Sequence, residues 1–497
     1  MGRLTSMPFN LSQFYADWGT ILPECFLFLW ALVILAWATG TRDEKPGGSG
    51  LFAALTIIGA VITAVWVAMT ADGTAFGGTF VFDRLAVVFK EIVLGTVILT
   101  AMSSVGTVGR LRAHRGEYYG MILFSAVGMM LMASATELLL LYVSIELSTI
   151  ALFALAAYHK TNRKSAEAGL KYVILGGISS AILLYGVALL YGLTGTTELA
   201  AIRTAVLQMY TSTGVFPPAM TLALILVVAG FGFKLALAPF HMWAPDVYEG
   251  APTPITAYLS VASKAAAVAA FIRVFFIGLE SAQSVWIQVI AALAALAMIV
   301  GNVTAIVQTN IKRMLAYSSV AQIGYVLVGA VALDTWGATA MSFYMMAYLF
   351  ANMGAFICVI AFSERTGSDE IAHYDGLAQR SPVLAAFFTL FLLSLTGIPP
   401  TAGFLAKYYV FLAAINADYM WLVIIGVVTS VIALYYYATV IRRMYFPAEA
   451  PSGGVALSLS LTVALILSAA GVLFFGIFPG SFVAFIQNAA QMLLAGM

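Results

Sequence analysis

Charged residues are scarce in this sequence. Only 9 % of its 497 residues are Asp, Glu, Lys or Arg, whereas 62 % are hydrophobic. A soluble globular domain carries about 25 % charged residues. Because so few charges cannot cover a water-facing surface, most of the chain must lie in a lipid bilayer. The net charge of +1 gives no indication of a nucleic-acid partner.

Cysteines and cofactor-binding motifs are also lacking. Cys25 and Cys358 both lie in apolar runs, and two lone cysteines cannot hold an iron–sulfur cluster or a tetrahedral zinc. The sequence has no Walker loop, no G-x-G-x-x-G after a strand, no C-x-x-C and no bis-histidine pattern. We therefore expect no cofactor, metal or redox centre in this chain. If it drives protons uphill, the energy must come from a partner or from a coupled ion gradient.

Long apolar runs are what the sequence has in abundance. A membrane-spanning helix needs about 20 apolar residues. The runs predict an all-α, polytopic membrane protein with about fourteen spans. Their predicted bounds are 21–39, 51–70, 84–106, 118–134, 137–157, 168–193, 218–239, 254–278, 283–309, 312–333, 337–363, 383–413, 419–445 and 455–486.

The basic residues divide unequally between the two ends of these spans. Fourteen lie at one end: Arg42, Lys45, Arg110, Arg112, Arg115, Lys160, Arg163, Lys164, Lys312, Arg313, Arg365, Arg380, Arg442 and Arg443. Arg3, Arg84, Arg203 and Arg273 lie at the other. The positive-inside rule then predicts both termini on the outer side of a bacterial inner membrane. The outer connection 194–217 either forms a short amphipathic helix over ELAAIRTAVLQMY or is an ordinary loop.

Four charged residues lie deep in predicted spans. They are Glu146 in span 5, Lys234 in span 7, Lys264 in span 8 and Lys407 in span 12. A charge at the bilayer centre costs about 2.5–3.5 kcal/mol on insertion scales, so we predict that these residues transfer protons or ions. Each has a structural alternative, which is an ion pair between helices or a lysine that reaches the membrane surface. Glu146 and Lys234 would form a switch that holds the proton when the pair is closed.

Five other charged residues lie in or beside the predicted spans. Lys171 is either the partner of Glu146 or a snorkelling residue, and Lys312 is either a secondary site or a cytoplasmic anchor. Ser134 and Glu137 have the S-x-x-E spacing of a capping box, which favours a helix cap for Glu137. The sequence does not settle the roles of Lys90 and Glu91.

Predicted spans 7 and 12 share a pattern. Each carries a lysine and is interrupted by proline, at Pro239 and at Pro399–Pro400. They lie five spans apart and therefore cross the membrane in opposite directions, as in transporters built from inverted repeats. We expect two inverted five-helix repeats, 118–278 (helices 4–8) and 279–445 (helices 9–13). They would be flanked by an N-terminal three-helix segment, 1–117, and by a C-terminal helix in 446–497.

Several stretches resemble one known family. They are YVSIELSTIALFALAAY, SAEAGLKYVILGGISSAILLYG, FKLALAPFHMWAPDVYEGAPTPITAYLSVASKA, IKRMLAYSSVAQIGY and LTGIPPTAGFLAKYYVF. Together they resemble the antiporter-like, proton-pumping membrane subunits of respiratory complex I, and most closely the subunit N family. The resemblance is strong over roughly 118–445, and the APDVYEGAPTP stretch is the most specific part of it.

This resemblance implies a mechanism and a set of partners. Glu146, Lys234, Lys264 and Lys407 would form a hydrated axis along the bilayer midplane, with Lys171 and Lys312 as secondary members and His241 as a lining group. The chain would sit in the bilayer beside other membrane and peripheral subunits of the complex, and not as a homo-oligomer. Those subunits would carry NADH, FMN, the iron–sulfur clusters and the quinone, although the electron donor could also be ferredoxin.

Two alternatives remain open at this stage. The chain could belong to a multi-component Na⁺/H⁺ antiporter or a membrane hydrogenase, although APDVYEGAPTP and Lys407 argue against this. It could also be a mainly structural scaffold in which the buried charges form fixed ion pairs.

Overall fold

A computed structural model describes residues 11–40, 48–110, 114–446 and 454–495. The predicted orientation depends partly on four basic residues that lie outside these ranges, which are Arg3, Arg42, Lys45 and Arg112. The described part of the chain is almost entirely helical, with one small hairpin between the second and third helices. Its strands β1 (Gly73–Ala75) and β2 (Phe80–Phe82) pair antiparallel, with Gly73 opposite Phe82.

The described part of the chain contains twenty α-helices. The first eleven are α1 (Leu11–Gly40), α2 (Gly48–Met69), α3 (Arg84–Gly109), α4 (Arg115–Ser134), α5 (Leu138–Ala156), α6 (Arg163–Thr194), α7 (Leu199–Thr213), α8 (Pro218–Leu235), α9 (Trp243–Gly250), α10 (Thr253–Tyr258) and α11 (Lys264–Phe271). The remaining nine are α12 (Gln283–Ile306), α13 (Ile311–Val328), α14 (Thr335–Thr366), α15 (Leu377–Arg380), α16 (Pro382–Thr396), α17 (Ala402–Asn416), α18 (Met420–Tyr445), α19 (Leu459–Ile477) and α20 (Gly480–Ala495).

Short segments of other helix types join some of these elements. Two π-helical segments, Leu259–Ser263 and Ile272–Gly278, flank α11, so that one continuous helix runs from Thr253 to Gly278. The 3₁₀ segments are Phe76–Gly78, Glu280–Ala282, Gly329–Ala332 and Ile371–Tyr374.

The predicted membrane spans agree well with the helices. Among the described residues, 13 helices are long and apolar enough to cross a membrane, and each corresponds to one predicted span. Predicted span 12 has no single counterpart, because the structure divides it into α16 and α17, and predicted span 14 extends beyond the end of α19 into the separate helix α20. The prediction of an all-α polytopic membrane protein is confirmed. The number fourteen, the inverted repeats and the domain bounds stay predictions.

Both proline-interrupted spans are broken, as predicted. Helix α8 ends at Leu235, and Ala236 takes a left-handed conformation with φ 56° before the irregular turn that contains Pro239. Helix α16 ends at Thr396, and Gly397 takes φ 94° before α17 begins. Proline has no N–H to donate and its ring clashes with the preceding turn, so a helix cannot continue through either site. Helix α8 therefore ends four residues before residue 239, the predicted end of span 7.

The connection 194–217 contains a helix, which settles the alternative left open by the sequence. Helix α7 covers most of ELAAIRTAVLQMY. Leu199, Ile202 and Val206 are buried and share one face, at the helical spacings of three and four residues. Their face packs against the π-helical segment Ile272–Gly278. This helix therefore lies on neighbouring spans.

Three helices form the centre of the described bundle. In Thr253–Gly278, Ile311–Ala332 and Thr335–Thr366, 94 % of the most apolar 18-residue stretch is buried. The corresponding share for α6 and α18 is only 33 %, so these helices are peripheral and face lipid or partner proteins. Polar side chains on the three central helices are therefore far from lipid.

Candidate functional site

Lys234 contacts the helix that carries Glu146, but it forms no ion pair with Glu146 itself. Glu146, on α5, is half-buried and accepts a hydrogen bond from the Ser180 hydroxyl of α6. The Lys234 Nζ donates to the hydroxyls of Thr149, at 2.6 Å, and Ser148, at 3.3 Å, which are also on α5. Thr149 lies about one helical turn beyond Glu146. The structure thus brings Lys234 to the α5 segment that carries Glu146, with no direct ion pair between these two described residues.

Lys234 does not snorkel to the membrane surface. It lies in the last turn of α8, just before the break, and is 8 % exposed. Its ammonium group points into the protein and is held by α5. The snorkelling alternative is therefore wrong for this side chain.

Lys264 is bound to a single residue of a neighbouring helix. It lies where the π-helical segment Leu259–Ser263 meets α11 and is 1 % exposed. Its Nζ donates to the backbone carbonyl of Ser319, at 2.9 Å, and to the Ser319 hydroxyl, at 2.6 Å. The Tyr348 hydroxyl of α14 donates to the same Ser319 hydroxyl at 2.8 Å. Three central helices therefore meet at this lysine.

The ammonium group of Lys407 is held at the break between α16 and α17. Its Nζ donates to the backbone carbonyl of Thr396, the last residue of α16, at 2.8 Å. The last carbonyls of a helix have no partner within it, so the break supplies this acceptor. The Nζ also donates to the Ser430 hydroxyl at 3.2 Å and lies 4.2 Å from the centroid of the Tyr325 ring.

A polar face of α13 lies between Lys264 and Lys407. Ser319, Gln322 and Tyr325 follow one another at helical spacings, and the outer two contact the two lysines. The Gln322 amide donates to the Leu395 carbonyl at 2.9 Å and accepts from the Tyr344 hydroxyl. Sequence reasoning missed these three residues, although IKRMLAYSSVAQIGY does place polar residues on one face of an apolar span.

A small cavity lies beside this polar face. Its volume is about 10 Å³, and Gln322, Tyr344, Tyr348 and Ser394 are among the residues that line it. A cavity of this size has room for roughly one water molecule when polar partners are available. Water could therefore bridge part of the distance between the two lysines.

The three deep lysines differ from the other buried or half-buried cations. Among the described residues, Lys234, Lys264 and Lys407 form no ion pair with a carboxylate, and their partners are hydroxyls and backbone carbonyls. The paired cations include Lys90 with Glu24 at 2.6 Å, Arg273 with Asp83 at 2.7 Å, Lys171 with Asp246 at 2.6 Å, and Arg313 with Asp246 at 2.8 Å. The hypothesis of fixed ion pairs therefore fails for the three lysines.

Lys171 is not the partner of Glu146. Its Nζ bridges Asp246, at 2.6 Å, and Glu167, at 2.8 Å. Arg313 binds Asp246, at 2.8 Å, and Glu249, at 3.0 Å, so this cluster ties α6, α9 and α13 together. Asp246 and Glu249 both belong to the APDVYEGAPTP stretch. Partial burial raises the pKa of Asp246, but the hydrogen bonds from Lys171 and Arg313 outweigh it and hold the pKa below its usual value.

Lys312 is buried and is not a surface anchor. It is 4 % exposed, and its Nζ lies 3.5 Å from the Asp369 carboxylate and donates to the Ala251 carbonyl at 3.2 Å. His241 is also buried and lies against the ring of Tyr317, at 6.2 Å between centroids. Its Nδ1 has no hydrogen-bond partner in the described part of the chain. The structure does not bring His241 into hydrogen-bond contact with the lysines.

The predicted capping box at Glu137 is wrong. Glu137 itself occupies the N-cap position of α5, with φ −130°, and makes no side-chain cap hydrogen bond. Its carboxylate instead accepts from the Thr197 hydroxyl at 2.5 Å, and the backbones of Glu137 and Glu198 form an isolated β-bridge. The Ser134 hydroxyl is buried with no hydrogen-bond partner among the described residues. Residues of the connection 194–217 therefore meet the start of α5, and no side-chain cap forms there.

The fold and the site define a class of protein. Two broken helices, each with a buried lysine, lie at membrane depth, and such paired breaks are typical of ion-transporting membrane proteins. The irregular backbone at each break is tolerated because it is buried in protein.

Comparisons with known proteins narrow this class. The family profile described as NADH:quinone oxidoreductase/Mrp antiporter, TM, matches residues 135–433. NADH-quinone oxidoreductase subunit N of Moorella thermoacetica is 46 % identical over 432 residues, which cover 86 % of this chain and 89 % of the relative. The same subunit of Heliobacterium modesticaldum is 43 % identical over 478 residues, which cover 96 % of this chain and 100 % of the relative.

A solved structure agrees with these matches. A chain of respiratory complex I from Thermus thermophilus with bound aureothin superimposes with a TM-score of 0.78 and 31 % identity, covering 93 % of this chain and 98 % of that one. The chain therefore belongs to the NADH:quinone oxidoreductase/Mrp antiporter membrane family, within its subunit N group. The family resemblance noted in the sequence is confirmed.

Proposed function

We propose that this chain is a proton-translocating membrane subunit of a NADH–quinone oxidoreductase. Glu146, Lys234, Lys264 and Lys407 carry the protons across it, and quinone reduction in other subunits drives the transfer. Membership of the subunit N group supports the assignment to this complex. The observation that carries the residue roles is that all three deep lysines are held by neutral oxygen atoms.

Neutral oxygen partners suit a lysine that changes its charge. A buried ammonium paired with a carboxylate is strongly destabilised when either partner loses its charge, by about 3–5 kcal/mol. A hydroxyl can accept a hydrogen bond from an ammonium and, after rotation, donate one to the neutral amine. Each of the three lysines has such a hydroxyl partner, on Thr149, Ser319 or Ser430. Both protonation states of each lysine therefore keep a hydrogen bond.

Glu146 and Lys234 form the switch at one end of the axis. In the open arrangement, Lys234 is held by Thr149 and Glu146 by Ser180. A rotation of the lysine side chain along α5 brings its ammonium toward the carboxylate, where the ion pair keeps the proton on Lys234. When the pair opens again, the proton moves on toward Lys264. Lys312 and His241 are secondary carriers, and Lys171 positions α6 against α9.

The exposure of Glu146 indicates where a partner subunit binds. Leu139, Val143 and Ile150 lie on the exposed side of α5, and Glu146 is itself only half-buried. A carboxylate at this depth is costly against lipid. Another membrane subunit of the complex therefore covers α5 and α6. We place both termini on the outer side of a bacterial inner membrane, with NADH, FMN, iron–sulfur clusters and quinone in the partner subunits and none of them in this chain.

Purification of the tagged chain in mild detergent, with mass spectrometry of its partners, tests this assignment. We expect flavin and iron–sulfur subunits to co-purify, together with NADH–quinone reductase activity. Recovery of antiporter-type membrane subunits alone, without a redox protein, would transfer the function to cation/proton antiport. The residue roles would then remain almost unchanged, because antiporters of this family share the same profile.

A further inference from the structure

A second, polar cavity opens at the end of the bundle where the basic residues cluster. Its volume is about 220 Å³, and His159, Lys164, Glu249, Lys312, Glu364 and Asp369 are among the residues that line it. The Lys164 side chain at its rim is 69 % exposed, whereas that of Lys312 is only 6 % exposed. The cavity therefore leads from water to a buried ammonium group.

Lys312 and Asp369 form an unusually loose ion pair. The Nζ lies 3.5 Å from Oδ2 of Asp369, whereas the Lys90–Glu24 pair is separated by 2.6 Å. The Asp369 side chain is 27 % exposed, and its Oδ1 accepts a hydrogen bond from the Ser363 hydroxyl at 2.5 Å. One member of the pair thus meets the water of the cavity, and the other is enclosed in protein.

Lys312 also lies on the helix that holds Lys264. Lys312 precedes Ser319 by seven residues on α13, which is close to two full helical turns. The side chains of Lys312 and Ser319 therefore share one face of the helix, about 10 Å apart. Ser319 binds the Lys264 ammonium directly. The buried His241, whose Nδ1 lacks a partner among the described residues, packs against Tyr317 of the same helix. Helix α13 thus connects the cavity to the proposed axis.

We propose that this cavity is the port through which protons from the cytoplasmic water enter the translocation path, with the Lys312–Asp369 pair as its gate. The inference rests on the proposed function. A proton from cavity water binds the Asp369 carboxylate and neutralises it, which breaks the ion pair. Lys312 then gives one of its protons inward toward Lys264 and takes the proton from Asp369. One proton has moved inward, and both gate residues have regained their original charges.

The charged groups around the gate are consistent with this role. His159, Lys164, Glu249 and Glu364 line the same cavity. Lys164 and Glu249 neutralise each other in an ion pair at 2.8 Å, so neither blocks a cation from entering. Burial and the nearby Lys312 ammonium lower the pKa of His159, so its imidazole stays neutral and adds no positive charge to the cavity.

Proton pumping by the assembled complex in proteoliposomes tests the port. We expect Asp369→Asn and Lys312→Gln to reduce the number of protons moved per electron at least several-fold, with assembly and quinone reductase activity retained. Asp369→Glu, which keeps the carboxylate, should recover most of the pumping. Glu370→Gln is the matched control, because Glu370 is the exposed neighbour of Asp369 and does not line the cavity. Its pumping should equal that of the wild type.

The outcomes separate this inference from the proposed function. If Asp369→Asn and Lys312→Gln move the wild-type number of protons per electron while Lys264→Ala does not, the proposed entry port is refuted. The proposed role of the lysine axis is then unaffected. If Lys264→Ala also pumps normally, the proposed function itself fails. A Thr253→Cys variant, which keeps both gate residues and places a thiol in the lining of the cavity, decides the matter should Lys312→Gln not assemble. A membrane-impermeant thiol reagent applied from the cytoplasmic side should block its pumping, and unchanged pumping after complete labelling would refute the port.

Discussion

Lys264 and Ser319 are joined by two hydrogen bonds across the centre of the protein. The Lys264 Nζ donates to the Ser319 carbonyl at 2.9 Å and to its hydroxyl at 2.6 Å. Lys234 and Lys407 are likewise bound by hydroxyls of neighbouring helices. This shared arrangement distinguishes the lysines proposed to carry protons from the cations that hold helices together through carboxylates.

Lys234→Ala should abolish or sharply reduce proton pumping and leave assembly intact. The substitution removes the ammonium group that the proposed path places between Glu146 and Lys264, but it does not leave a buried carboxylate without its partner. Pumping is measured in proteoliposomes against the rate of NADH–quinone reduction. Lys160→Ala, in an exposed connection, is the control. An assembled Lys234→Ala complex that pumps at the wild-type stoichiometry would contradict the role of this residue.

Glu146→Gln should reduce proton pumping about as much as Lys234→Ala does, whereas Glu137→Gln should leave proton pumping nearly unchanged. The amide at position 146 can still accept from Ser180 but cannot form an ion pair with Lys234. Glu137 accepts a hydrogen bond from Thr197, and an amide oxygen can do the same. The same proteoliposome assay compares the two variants. Equal losses would mean that Glu137 also takes part in proton transfer.

Ser319→Ala should slow pumping without abolishing it. A hydrogen bond to a charged group contributes about 1.5–3 kcal/mol, so losing the hydroxyl corresponds to a roughly 10- to 100-fold effect at this step. The backbone carbonyl of residue 319 remains as an acceptor for Lys264. Ser318→Ala is the matched control, because the neighbouring Ser318 hydroxyl pairs with Tyr437 and contacts none of the lysines. A larger loss in Ser318→Ala than in Ser319→Ala would refute the assignment.

The Glu24–Lys90 pair should stabilise the protein without carrying protons. Both side chains are almost fully buried, and the Lys90 Nζ also lies 4.0 Å from the centroid of the Phe82 ring. Lys90→Ala should cost about 3–5 kcal/mol, because it leaves a buried carboxylate unpaired. Glu24→Leu combined with Lys90→Met should recover most of this loss. Thermal unfolding of the purified complex measures the stability. If the assembled double variant moves fewer protons per electron than the wild type, the pair has a role in transport.

The stabilising effect of Asp246 should depend on pH. Its pKa is lower in the folded protein than in the unfolded chain, so its ionised form stabilises the fold above the ordinary carboxyl pKa of about 3.9. That contribution is lost as the pH falls through the folded-state pKa. The difference in melting temperature between the wild type and Asp246→Asn should therefore be constant from about pH 7 to pH 5 and shrink below about pH 4. A difference that grew on acidification would contradict this.

Local sequence patterns were sufficient for much of the fold. Apolar runs of about 20 residues predicted the spans, because the backbone of a lipid-embedded segment must satisfy its own hydrogen bonds within a helix. The breaks at Pro239 and Pro399–Pro400 followed from the missing N–H of proline. The exceptional cost of burying a charge pointed to Glu146, Lys234, Lys264 and Lys407 before any contact was known.

Contacts between distant segments could not be predicted in the same way. Lys171 was assigned Glu146 as one possible partner, but the structure pairs it with Asp246, 75 residues along the chain. The capping box at Glu137 failed because Thr197, from the connection 194–217, binds the carboxylate. Lys312 matched the pattern of a surface anchor, yet the packing of α13 against its neighbours buries it beside Asp369.

The sequence by itself determined the membrane class, the approximate spans, the two helix breaks and the deep charged residues. These properties depend on residue type and on short-range spacing along one helix. Only the tertiary structure decided which hydroxyl, carbonyl or carboxylate each charge meets. Those partners lie on other helices, and their positions are set by how the whole bundle packs.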